Sequence, residues 1–113
     1  MLIALYSDFC LDSSTIDNCV AECAGAYALG RSLDVNGTMI VRYVGRADDN
    51  VRACLKAHAS EGRFRYFAFT YSTGANPAYE KECNLYHSFE RTLDDPHHPI
   101  EPFAWSKCPN CNR

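Results

Sequence analysis

The sequence predicts an α/β (α+β) domain in which a small antiparallel three-stranded sheet is flanked by helices. Three observations carry that expectation. AGAYALG at 24–30 and TMIVRYVG at 38–45 are apolar, β-prone runs separated by DVNG, and the Asn36-Gly37 pair inside it is the strongest short hairpin signal in the chain. From Asp49 to Ser60 the pattern changes to a helical period, with Val51, Cys54, Leu55 and His58 on one side. RFRYFAFTY at 63–71 is dense in aromatics, as a strand with a buried face requires, and AYEKECNLYHSF continues as an amphipathic helix to about Phe89.

Taken in order, residues 15–23 predict a short helix capped by Thr15 or Ser14, its stripe of Ile16, Cys19, Val20 and Cys23 turned to the core. The two strands and the helix of 49–60 follow, then the third strand. STGANP breaks the chain, where Asn76 or Ser72 caps the last helix and Pro77 fits its first turn. Residues 94–113 hold four of the five prolines and little periodicity, so an ordered tail needs a staple. The divisions are an N-terminal extension (1–23), a core (24–90) and a proline-rich tail (91–113), within one domain, as 113 residues at 47% hydrophobic suit.

No apolar run approaches the roughly 20 residues that a bilayer-spanning helix requires, so no membrane partner is expected. The opening MLIALYSDFCLD has no Lys or Arg before its apolar run, and Asp8 and Asp12 interrupt it, unlike a signal peptide. Seven cysteines, an odd number, suggest reduced thiols or metal ligands and hence a cytoplasmic, intracellular setting. The net charge of −3 hides an asymmetry: residues 1–30 carry four acids and no Lys or Arg, whereas 31–65 carry seven bases against four acids. A moderate basic face follows, although ordinary solvated positions would read the same way.

Cys83-x3-His87 places two ligands on one helix face, and Cys108-x2-Cys111 is a knuckle of two thiols. Together they predict a closed tetrahedral Zn²⁺ site whose binding energy staples the tail to the last helix. His97 and His98 are substitutes that lack a fixed helical face. The competing reading makes Cys83 and His87 ordinary core residues and leaves the tail thiols unliganded. Cys19 and Cys23 share a helix face and could hold a second metal with Cys10 or Cys54, but buried apolar thiols are the commoner outcome.

Gly25-Ala26-Tyr27 on the first strand, Tyr43-Val44-Gly45 on its partner, His58 on the following helix and a carboxylate on the last helix resemble the GIY-YIG nuclease superfamily over residues 24–89. The likeness is to small stand-alone members whose middle reads YVGR, whose last helix reads like YEKEC-x3-H and whose tail ends in CPxC. The resemblance implies a metal-dependent endonuclease that hydrolyses DNA, branched or damaged forms included. Tyr27, Tyr43 and His58 would supply the base and the orienting phenols, and Glu82 would hold Mg²⁺ or Mn²⁺. Glu82 is chosen because the family's carboxylate follows an Ala by four and precedes an apolar residue by three, as Ala78 and Leu85 allow; Glu80 would face the zinc side.

One departure stands out: the family's helix arginine falls on Cys54. Arg52 is about 120° round from His58 on an ideal helix, a poor stand-in, and Arg46 directly after the YVG motif is the better one. Arg46, Arg52, Lys56, Arg63 and Arg65 are the expected phosphate contacts, and Arg46 and Arg52 the candidate catalytic cations. With no attached DNA-binding domain, specificity would come from a homodimer or a partner protein. The alternative is a catalytically impaired nucleic-acid-binding or regulatory module on the same fold.

Overall fold

A computed structural model describes residues 6–111. The elements run β1 (Tyr6–Cys10), α1 (Ser13–Cys19), β2 (Gly25–Gly30), β3 (Tyr43–Ala47), α2 (Val51–Glu61), β4 (Tyr66–Tyr71) and α3 (Ala75–Phe89). The strands form one antiparallel sheet in the order β1-β4-β2-β3. The expected three strands are therefore four. The segment expected as an extension contributes β1 to the sheet, and Phe9 stacks on Phe67 and Phe69 of β4 at ring-centroid distances of 5.4 and 5.9 Å.

The period of two along the strands sorts the core into two layers. Tyr27, Leu29, Phe67 and Phe69 turn to one face, where Ile16 of α1, its C-cap Val20, and Val51 and Leu55 of α2 cover them. On the other face Ala28 and Ala68 are small, so α3 lies close, with Met39 and Val41 filling the end of that layer. The helices start and stop where local chemistry allows. Asp12 caps α1 by accepting from Thr15 N at 2.8 Å, Asn50 caps α2 through Ala53 N at 3.1 Å, and Gly62 closes α2 in the left-handed region. The caps expected at Ser14, Thr15, Ser72 or Asn76 are not used: α1 starts two residues earlier than expected, and Gly74 precedes α3.

The Asn36-Gly37 turn forms, with Gly37 at φ 80° and the Asp34 carboxylate accepting from Asn36 N and Thr38 N. The ladder beyond it does not continue directly. Leu33 and Met39 make a single bridge, and regular pairing resumes at Leu29 opposite Tyr43. The strand expected over 38–45 is displaced to 43–47 because Met39 and Val41 peel off to fill the α3-side layer. β3 is consequently a short edge strand, and its open side becomes the wall of the site described below. No helix among the described residues is long and apolar enough to cross a membrane.

The charge asymmetry of the sequence resolves as pairing between neighbouring elements. Lys56 of α2 meets Asp17 of α1 at 2.9 Å, and Arg52 donates to Val20 O at 2.7 Å and reaches Glu22 at 3.3 Å. Exposed pairs of this kind contribute little, whereas β1 adds aromatic packing. Phe9→Ala is accordingly expected to lower the unfolding free energy by about 2 kcal/mol, and Asp17→Ala by less than about 1 kcal/mol. Urea unfolding of the two variants checks this; equal losses would contradict the assigned role of β1.

Candidate active site and metal centre

Alternation along β3 sends Tyr43, Gly45 and Ala47 toward α2 and Val44 and Arg46 toward α3. An open cleft of about 650 Å³ wraps this edge, lined by Tyr27, Tyr43, Arg46, Cys54 and Glu82, with Asp48, Asp49 and Arg42 at its sides and 95–100 opposite. On the α2 side, the Tyr27 hydroxyl lies 2.9 Å from His58 Nε2, and His58 Nδ1 lies 3.3 Å from Glu61. With Nδ1 protonated toward Glu61, Nε2 accepts from the phenol. Burial, reinforced by the neighbouring Tyr43, pushes the Tyr27 pKa well above the phenol range, so Tyr27 is a neutral donor. Tyr43 stacks at 6.3 Å from the Tyr27 ring and 5.0 Å from the His58 ring; burial and Glu82 raise its pKa too.

Gly45 sits directly across from Tyr27 in the ladder. A Cβ there would lie 2.6 Å from the phenolic oxygen and 2.7 Å from its ring carbon. The glycine of the YVG motif is thus a steric requirement for the Tyr27 position.

On the α3 side, Arg46 Nη1 donates to Glu82 Oε1 at 2.9 Å while its Nε donates to Asp48 at 2.8 Å, and its guanidinium lies over the Tyr79 ring. Desolvation works to lower the Arg46 pKa, but Asp48 and Glu82 outweigh it and hold the cation. Burial raises the Glu82 pKa, an effect Arg46 opposes. Cys54 faces the same cleft, and burial with Asp49 and Asp48 raises its thiol pKa, so it stays neutral. Glu80 is exposed and outside the cleft.

The structure therefore gathers Tyr27, Tyr43, His58, Arg46 and Glu82 around one edge of the sheet. It does not bring in Arg52, whose guanidinium is directed to Val20 O and Glu22 on the opposite flank of α2. Lys56 likewise pairs with Asp17, and Arg63 and Arg65 lie over Phe64 and Tyr66 outside the cleft. Of the expected phosphate contacts, Arg46 alone lines the cleft. Sequence reasoning missed Arg42 and Asp48 as cleft residues; they flank β3 at its two ends.

The second cluster lies at the tail. His87, His98, Cys108 and Cys111 offer ligand atoms all within 4.8 Å of one another. A tetrahedral zinc with bonds of about 2.0–2.3 Å separates its ligands by roughly 3.3–3.8 Å, so small shifts close the set. The ring nitrogens point the same way. His98 Nδ1 is engaged by Pro99 O at 2.9 Å, leaving Nε2 3.3 Å from Cys111 Sγ. His87 Nδ1 lies 3.6 Å from Glu90, and its buried Nε2 has no hydrogen-bond partner among the described residues. Two such Nε2 atoms beside two thiols form a group that could hold a metal such as zinc.

Cys83, expected as a ligand, is not in this group, and His98 takes its place. Cys83 is fully buried with Tyr79 and Cys108, and burial pushes its thiol up to about 12, so it supports Cys108 as a protonated neighbour. Burial works against the Cys108 thiolate, yet Asn110 N at 3.4 Å, His98 and Cys111 together pull its pKa down to about 6. His97, the other substitute, stays exposed beside Asp95. Asn110 Nδ2 donates to Asn84 of α3 at 2.8 Å, which anchors the knuckle. Cys10 and Cys19 are exposed, and no second group of ligands occurs among the described residues.

In comparisons with known proteins, no family model matches the chain, and no curated protein or solved structure matches it.

A metal held by this cluster would need the Cys108 thiolate, so its affinity is expected to fall as pH drops through about 6. A chelator-competition titration with Zn²⁺ is expected to give about fourfold or more weaker binding near pH 5.5 than near pH 7.5. Equal affinities would contradict a thiolate ligand at Cys108.

Proposed function

We propose that the protein is a metal-dependent endonuclease that hydrolyses DNA phosphodiester bonds in the cleft along β3, with a structural Zn²⁺ holding its tail. The observation that carries this reading is the meeting of the Tyr27–His58 hydrogen bond and the Arg46–Glu82 ion pair at one open cleft. Tyr27, Tyr43, His58 and Glu82 are also the residues on which the resemblance to GIY-YIG nucleases rests.

Each group has a chemical task in this reading. His58 Nε2 receives the proton of the attacking water by way of the Tyr27 hydroxyl, and Glu61 at Nδ1 stabilises the imidazolium that results. Tyr43, at the rim of the cleft, orients a non-bridging oxygen. Arg46 neutralises charge building on the phosphate, as the family's helix arginine would. Glu82 suits Mg²⁺ or Mn²⁺, which takes one or two carboxylates and keeps waters and substrate oxygens in an open site. When bound, such an ion supplies charge neutralisation at the phosphate and a more acidic water. A guanidinium at Glu82 Oε1 repels a dication, so Arg46 must pass from Glu82 to the incoming phosphate.

The neutral thiol of Cys54 favours a second reading, a catalytically impaired module that binds nucleic acid without cutting it. Plasmid nicking in Mg²⁺ or Mn²⁺ separates the two. The nuclease reading expects Glu82→Ala and Arg46→Ala each to reduce the rate by about 10²-fold or more, and Cys54→Arg to restore part of it in the Arg46→Ala background. Nicking that persists unchanged in Glu82→Ala would overturn the assignment; DNA binding without nicking would support the module.

A further inference from the structure

His98 belongs to both sites. Its Nε2 lies beside Cys111 in the ligand cluster, while its ring and its neighbours His97, Pro99 and Ile100 line the cleft facing β3. Apart from the ring contacts of His98 with Tyr86 and His87, at 5.3 and 5.4 Å, the segment has little else to hold it. Asp94 fastens its start, through Asp94 N to Arg42 O at 2.9 Å and a bidentate pair with Arg31. Beyond it, Pro99 alone is buried between residues 95 and 105, and there is no helix or strand; Ile100 is 79% exposed. A stretch with so few buried contacts opens at small free energy unless something ties it down.

We infer that metal occupancy gates the cleft: an ion at His87, His98, Cys108 and Cys111 holds residues 95–100 as the outer wall, and its removal opens that wall. The ion joins α3, through His87, to the knuckle and to the middle of the wall, through His98. Losing it releases the wall at its midpoint while Asp94 keeps the near end attached. The cleft then widens on the side facing Arg46 and Glu82. The consequence for cleavage rests on the nuclease reading above; the gating itself does not.

Alkylation resolved cysteine by cysteine tests the gate without an activity assay. Cys54 lines the cleft, Cys23 lies by the start of α2 away from the tail, and Cys108 and Cys111 report occupancy. Full-length protein is exposed to N-ethylmaleimide after Zn²⁺ loading or chelation, and each cysteine is followed by peptide mapping. Trp105, the sole tryptophan, reports tail movement by fluorescence. Chelation is expected to speed Cys54 alkylation about tenfold and shift the Trp105 emission while the Cys23 rate stays constant, the increase expected when a local opening governs access. His98→Ala, and Cys111→Ser at an exposed ligand, should show the fast Cys54 rate with or without Zn²⁺. A Cys54 rate indifferent to Zn²⁺, whether or not Cys108 and Cys111 are protected, would overturn the gate, and so would a parallel rise at Cys23. Gating without nicking would count against the nuclease reading alone.

Discussion

Beyond α3 the described residues form no helix or strand, and apart from the Asp94 contacts with Arg31 and Arg42 what fastens them to the body of the protein is a handful of polar contacts around four ligand-bearing side chains. That attachment is the constraint on which the rest depends, because the same segment forms one side of the cleft. Between residues 95 and 105 only Pro99 is buried, so this part of the tail gains little order from apolar packing. A metal ion bound there would convert the four convergent ligands into a crosslink between sequence-distant parts, and the free energy of coordination would become free energy of tail order.

The opposite side of the cleft follows from the sheet. Alternation on a short edge strand divides the proposed machinery into an aromatic and imidazole half on the α2 face and an ionic half on the α3 face. Gly45 lets the Tyr27 ring pass across the strand, which brings the halves together at one edge. The ionic half is paired rather than free: Arg46 neutralises the half-buried Glu82 carboxylate, so the site does not carry an uncompensated charge.

Much of this was legible in the sequence, and the exceptions have physical causes. Periodicity located α2, β4 and α3, and the family spacing picked out Glu82, which does line the cleft. The Asn36-Gly37 turn was readable, but an apolar run cannot say whether its backbone stays in the ladder; Met39 and Val41 are buried by leaving it. β1 was missed because a short apolar segment with two acids reads as a loose end until β4 is there to pair with it. Helical phase favoured Cys83 as a ligand, yet His98 is oriented by Pro99 O and by the Tyr86 ring, contacts no spacing rule encodes. The basic residues of α2 looked available to phosphate because their partners, Asp17 and Glu22, lie some thirty or more residues away.

The identity of the ligand shell is the most direct check on the constraint from which the rest follows. X-ray absorption spectroscopy at the zinc edge on stoichiometrically loaded protein should show two sulfurs at about 2.3 Å and two imidazole nitrogens at about 2.0 Å. A shell of three sulfurs and one nitrogen would return Cys83 to the metal and detach His98, and with it the wall of the cleft, from the centre.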